Sequence, residues 1–112
     1  PESPTLMAWN CVSKTTISQS EHTFPDSGRT STYVLDRVYA PSTRTHCIYT
    51  ETVRPIVTAA MEGYHGSVFA YGQTSTGKTY TMTGTVDEPG IVPCAVRECF
   101  NFIESERNED RE

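Results

Sequence analysis

Hydrophobic and polar positions change their spacing several times along the chain. From Trp9 to Ser20, Val, Ile, Thr and aromatic side chains follow one another without helical spacing, which predicts a small β-hairpin or a pair of short strands. Pro25-Asp26-Ser27-Gly28 is a turn signal, and Tyr33 to Tyr39 (YVLDRVY) reads as a short strand that Pro41-Ser42-Thr43 breaks. From about Thr45 to Met61 the period lengthens. Tyr49, Val53, Ile56, Val57 and Ala60 fall on one face of an amphipathic helix, and Gly63 follows as its stop. Pro55 lies inside that helix, removes a backbone donor and predicts a kink or a restart there. Ser67 to Tyr71 (SVFAY) is a nearly unbroken apolar run of the kind that suits a strand buried on both faces, as in parallel sheets.

Thr83 to Gly90 is a polar interruption. Pro93 suits a first helical turn beyond it, and Val92, Val96, Cys99, Phe100 and Ile103 form the next apolar stripe. Residues Asn101 to Glu112 hold five acidic and two basic side chains, net −3, which predicts a solvated helix end or frayed tail. Helix, buried strand and helix in succession predict an α/β architecture. No internal repeat, low-complexity segment or interdomain linker interrupts it.

The apolar run Ser67 to Tyr71 leads directly into Gly72-Gln73-Thr74-Ser75-Thr76-Gly77-Lys78-Thr79, a full match to the phosphate-binding loop pattern of two glycines, lysine and hydroxyl. A chain of this length holds such a match by chance with a probability on the order of a few per thousand at ordinary residue usage. The spacing has a chemical reason. A loop that wraps polyphosphate turns its own N–H groups inward, which calls for backbone angles that Gly72 and Gly77 adopt without a Cβ clash. Lys78 then opens a helix whose positive end faces the phosphates. Its ammonium reaches the β and γ oxygens, and the Thr79 hydroxyl is placed to ligate the Mg²⁺ that bridges them. The bland alternative is a glycine-rich turn with a solvated lysine. Asp87-Glu88-Pro89-Gly90 fits the DxxG spacing of a nucleotide-sensing switch, but Thr83 to Val86 before it is no buried strand, so a solvent-exposed loop is the better account.

Charge and cysteine content narrow the field. The nine basic residues are dispersed and the net charge is −5, which argues against a nucleic-acid footprint. No apolar stretch approaches the length that crosses a bilayer, and the N-terminus lacks a secretion-signal pattern. Cys11, Cys47, Cys94 and Cys99 show no CxxC pairing and no nearby histidine grouping, so they read as reduced core or surface thiols of a cytosolic protein.

GYHGSVFAYGQTSTGKTYTMTG (Gly63 to Gly84), with VRPIV (Val53 to Val57) before it and PGIVPCAVRECF (Pro89 to Phe100) after it, resembles the ATP-binding portion of a kinesin motor domain. LDRVYAPS (Leu35 to Ser42) is similar to the strand that precedes the first long helix in that family. The segments span about Tyr33 to Glu104, and the detail of GYHGSVFAYGQT suggests a class near the centromere-associated or plus-end-tracking kinesins. The resemblance implies a P-loop NTPase-type α/β fold with a central, mostly parallel sheet flanked by helices. It implies ATP and Mg²⁺ as ligands, with Gly72, Gln73, Thr74, Ser75, Thr76, Gly77, Lys78 and Thr79 on the phosphates, Thr79 on the metal and the Tyr80 ring beside the adenine. For Tyr80, an aromatic simply packed in the nucleotide helix is an equal alternative.

The resemblance also implies a microtubule partner, a dimer in the intact parent and a place on the cytoplasmic microtubule cytoskeleton, with no nucleic acid and no membrane. Residues 1–112 then form the N-terminal part of a motor domain, lacking the family's first-strand Arg-x-Arg-Pro segment, its serine-rich switch loop and its Asp-Leu-Ala-Gly switch. The first of these serves the adenine side and the two switches position the attacking water and sense the γ-phosphate, so no catalytic residue is assigned in this chain, and it is expected not to turn over ATP by itself. Microtubules are strongly acidic and this chain is acidic too, so it is expected not to bind tubulin alone. The other readings are a non-hydrolysing nucleotide- or partner-binding module and another phosphate-loop enzyme such as a small-molecule kinase.

Overall fold

The computed structural model describes residues 8–20 and 30–111. The turn expected at residues 25–28 lies outside them. The chain divides into two compact units, Pro1–Ser42 and Thr43–Glu112.

In the first unit, β1 (Trp9–Cys11), β2 (Thr16–Gln19) and β3 (Thr32–Val34) form an antiparallel sheet in that order. The hairpin expected between Trp9 and Ser20 is present, closed by the Val12 and Ser13 amides, which both donate to the Thr16 carbonyl. The pairs Trp9↔Gln19 and Ile17↔Tyr33 bring the Trp9 and Tyr33 rings to 5.9 Å across the middle strand. The strand expected over Tyr33 to Tyr39 stops at Val34 because its partner has already turned away. From there the Leu35 and Val38 amides donate to the Thr15 and Lys14 carbonyls of the turn.

In the second unit, the helix expected from Thr45 to Met61 is a composite of α1 (Thr45–Ile48), a π turn (Tyr49–Val53) and α2 (Arg54–Met61). Pro55 is in the first turn of α2. It has no N–H for the Glu51 carbonyl, and its ring would press on that carbonyl in a regular α-helix. Widening the preceding turn relieves the clash. The wider turn favours four-residue steps. Tyr49 (2% exposed) and Val53 (4%) are therefore buried with Ile91 (7%), and Val57 packs against them, whereas Ile56 and Ala60 are exposed. At Gly63, with φ at +104°, the chain leaves the helix. Its amide donates to the Ala60 carbonyl (3.1 Å) and that of Tyr64 to the Ala59 carbonyl (3.0 Å), which ties the chain back onto the last turn of the helix.

The expected central parallel sheet is not seen among the described residues. The described sheet is antiparallel and lies in the first unit, and Ser67 to Tyr71 pairs with no strand among the described residues. Phe69 is 88% exposed and Tyr71 fully so; only Val68 of the run packs on the core. A strand becomes buried on both faces only when flanking strands and covering layers surround it, and the described part of Thr43–Glu112 supplies helices but no flanking strand.

α4 (Ile91–Glu109) starts where expected, with Pro93 in its first turn, and its acidic end stands in solvent. Its packed face differs from the predicted stripe. Ile91, Cys94 and Ala95 turn inward, while Val92, Val96, Phe100 and Ile103 are exposed. The helix is apolar on more than one side, and Glu98 selects which side meets the first helix: its carboxylate accepts from the Tyr49 hydroxyl and lies 3.2 Å from the Arg54 Nε. Burial, and then the bond to Glu98, raise the Tyr49 phenol well above its ordinary pKa, so it remains a donor. All four cysteines are free thiols.

Gly63→Ala is expected to lower stability by roughly 1–2 kcal/mol, because a Cβ is penalised in the left-handed region. Thermal melting followed by circular dichroism checks this; an unchanged midpoint contradicts it.

Candidate functional site

Val68 anchors the chain on the core just ahead of the glycine-rich loop. After Gly72 the backbone folds into a tight turn in which the Thr76 amide (3.3 Å) and hydroxyl (2.6 Å) both donate to the Gln73 carbonyl. A Cβ at position 72 would sit 2.6 Å from the Thr76 Oγ1 and 3.8 Å from the Lys78 Cδ. Glycine is required there by close approach of side chains, not by an unusual φ. At Gly77 the sequence argument holds as stated: φ is +92°, in the left-handed region, and Ser75 shares that region with φ +67°.

Lys78 opens α3 (Lys78–Met82) directly after Gly77. Among the described residues, no carbonyl accepts from the Gly77, Lys78 or Thr79 amides, the donors that a helix start leaves free. Thr74, Ser75, Gly77, Lys78, Thr79 and Tyr80 line one cavity of about 460 Å³. Gly72, Gln73 and Thr76 form the turn behind it. Lys78 is half-buried and is the cation among the lining residues, and Thr79 adds an exposed hydroxyl. No group of three or more His, Cys, Asp or Glu converges into a metal site among the described residues. A divalent ion at this loop would therefore depend on the Thr79 hydroxyl, phosphate oxygens and water, a donor set of hard oxygens that suits Mg²⁺.

Tyr80 follows on the same short helix, and its hydroxyl donates to the Glu88 Oε2 at 2.6 Å. That bond raises the phenol above its ordinary pKa and holds the Glu88 carboxyl below the usual carboxylate range, with the Thr45 amide, 3.2 Å from Oε1, adding to the second effect. Glu88 belongs to the loop after α3, which closes on itself through the Gly84↔Pro89 bridge and the Thr85 amide to the Glu88 carbonyl (2.9 Å). Val86 at its tip is 98% exposed, but of the residues with DxxG spacing only Asp87 is exposed: Glu88 and Pro89 are half-buried and Gly90 is buried, so the solvent-exposed loop expected there holds for its tip alone. Sequence reasoning missed Glu88 because its partners lie 8 and 43 residues away, separations with no regular spacing. The Tyr49–Glu98–Arg54 cluster was missed for the same reason.

A model of the kinesin motor domain matches residues 3–112. The chain belongs to the kinesin motor domain family. A chloroplastic kinesin-like protein KIN-7K of rice is 50% identical over 72 residues, which are 64% of this chain and 7% of the relative. The chloroplastic KIN-7K of Arabidopsis thaliana is 40% identical over 104 residues, 93% of this chain and 10% of the relative. The kinesin-like protein KIF3C of Bos taurus is 47% identical over 81 residues, 70% of this chain and 10% of the relative. This kinesin chain thus spans a tenth or less of the length of these relatives. Family membership implies the P-loop NTPase fold, of which the described residues of the second unit hold the loop with its following helix.

The Glu88 carboxyl is expected to titrate below a free glutamate in an NMR pH titration. Its bonds to Tyr80 and Thr45 are at full strength above the ordinary carboxylate range and are lost as pH falls through the lowered folded value. A normal titration curve contradicts the pairing.

Proposed function

We propose that this chain is the ATP-binding part of a microtubule-based motor ATPase, in which Gly72 to Thr79 hold the phosphates. The observation that carries the reading is the left-handed Gly77 followed by α3, with unpaired amides, a lysine and a hydroxyl around one cavity. The Gly77, Lys78 and Thr79 amides donate to phosphate oxygens, and the positive end of the helix adds a fixed dipole. Lys78 neutralises charge on the β and γ groups, and its stem is steered over Gly72. Thr79 would hold the magnesium through its hydroxyl, and the metal would supply charge neutralisation at the phosphates. Tyr80 flanks the adenine.

The chain's own residues bind and orient the nucleotide. Groups that orient the attacking water are supplied from outside residues 1–112, as are the microtubule-binding face and the dimer contacts of the intact motor. A class near the centromere-associated or plus-end-tracking kinesins and a place on the cytoplasmic microtubule cytoskeleton belong to the same proposal. Family membership favours a motor over a small-molecule kinase. Turnover by the full-length protein separates a motor from a non-hydrolysing module.

In the full-length protein, Lys78→Ala is expected to weaken Mg·ATP binding by roughly 1.5–3 kcal/mol, the range for a hydrogen bond to a charged group, without a matching loss of thermal stability. Isothermal titration measures it, and unchanged affinity contradicts the role of Lys78. Thr79→Asn is expected to depress microtubule-stimulated ATPase and to raise the Mg²⁺ concentration needed for half-maximal rate. A wild-type magnesium dependence removes Thr79 as a ligand.

A further inference from the structure

We infer that Glu88 is a positioning residue for the nucleotide base: it holds the Tyr80 hydroxyl, fixes that ring at the wall of the phosphate-loop cavity, and ties it to the start of the first helix. This rests on reading Gly72 to Tyr80 as the ATP site. Tyr80 is 48% exposed and lies on a five-residue helix, so packing alone does not fix its ring. The fixing contact is at the tip, where the hydroxyl donates to one carboxylate oxygen of Glu88. The other oxygen accepts from the amide of Thr45, a residue only 3% exposed.

Glu88 is itself held. Its amide donates to the Thr85 hydroxyl (3.1 Å), its carbonyl accepts from the Thr85 amide, and the Gly90 amide donates to the Thr83 carbonyl (3.1 Å). The carboxylate is therefore presented by a closed turn. A bridge of this kind lowers the entropy that an exposed ring loses on stacking against a base, so the ring is ready before the ligand arrives. Glu88 itself is not among the residues that line the phosphate-loop cavity. Glu88 is thus expected to tune affinity for the base and to leave affinity for the phosphate chain alone.

The test titrates the full-length protein with ATP and with inorganic tripolyphosphate, each with Mg²⁺. Glu88→Ala and Tyr80→Phe are each expected to weaken ATP roughly 5-fold, the effect of one hydrogen bond, with tripolyphosphate unchanged. The double variant is expected to be no weaker than either single one, and Glu88→Gln, which keeps one acceptor oxygen for the Thr45 amide and can donate its NH2 to the Tyr80 oxygen, to lie between wild type and Glu88→Ala. Equal losses for both ligands in Glu88→Ala would mean a collapsed loop and overturn the proposal, as would unchanged ATP affinity or a Gln variant as weak as the Ala one. Wild-type protein that binds neither ligand overturns the phosphate-loop reading and this one with it. Wild-type binding of both, with an indifferent Glu88→Ala, removes only the role of Glu88.

Discussion

The Thr76 side chain occupies the space that any residue larger than glycine would need at position 72. That approach draws the start of the loop onto its end, lets Thr76 donate twice to the Gln73 carbonyl, and leads the backbone into the left-handed Gly77. Only after this closure can Lys78 begin a helix whose first amides have no carbonyl partner among the described residues. The rest of the second unit supports the loop from below: Tyr49, Val53 and Ile91 make a small core, and Val68 and Met82 pack on it from either side of the loop.

Small as that core is, polar groups decide its geometry. An apolar helix face selects a partner only weakly, and α4 offers more than one such face. The Glu98 carboxylate, reached by both Tyr49 and Arg54 from the first helix, breaks the tie. Glu88 does the equivalent work above the core, joining α3 to the first helix through Tyr80 and Thr45. Two carboxylates thus set how the first helix meets the elements on either side of the loop that follows α3.

Local chemistry was legible in the sequence where a residue acts on its own backbone. Pro55 forced the restart of the first helix, Gly63 ended it, Gly77 took the left-handed turn, and Pro93 sat in the first turn of α4. Burial was less legible because it depends on neighbours. SVFAY carries the composition of a hidden strand, yet Phe69 and Tyr71 stand exposed where no strand lies beside them. Likewise Ile56 and Ala60 fit a regular helical face, and the π turn that Pro55 provokes moved that face away from them. The phosphate loop itself was readable because each of its demands falls on a fixed residue type at a fixed step. Its tether at Glu88 was not, since a hydrogen bond between a helix and the loop after it leaves no pattern in spacing.

The central claim is that inward amides, one ammonium and one hydroxyl at the end of SVFAY grip a magnesium-bound triphosphate. Backbone amide NMR of the isotopically labelled full-length protein during a Mg·ATP titration tests it most directly. The account predicts saturable shifts at Gly77, Lys78 and Thr79, ahead of any change around Glu98. Saturable binding with those three amides unmoved would contradict it.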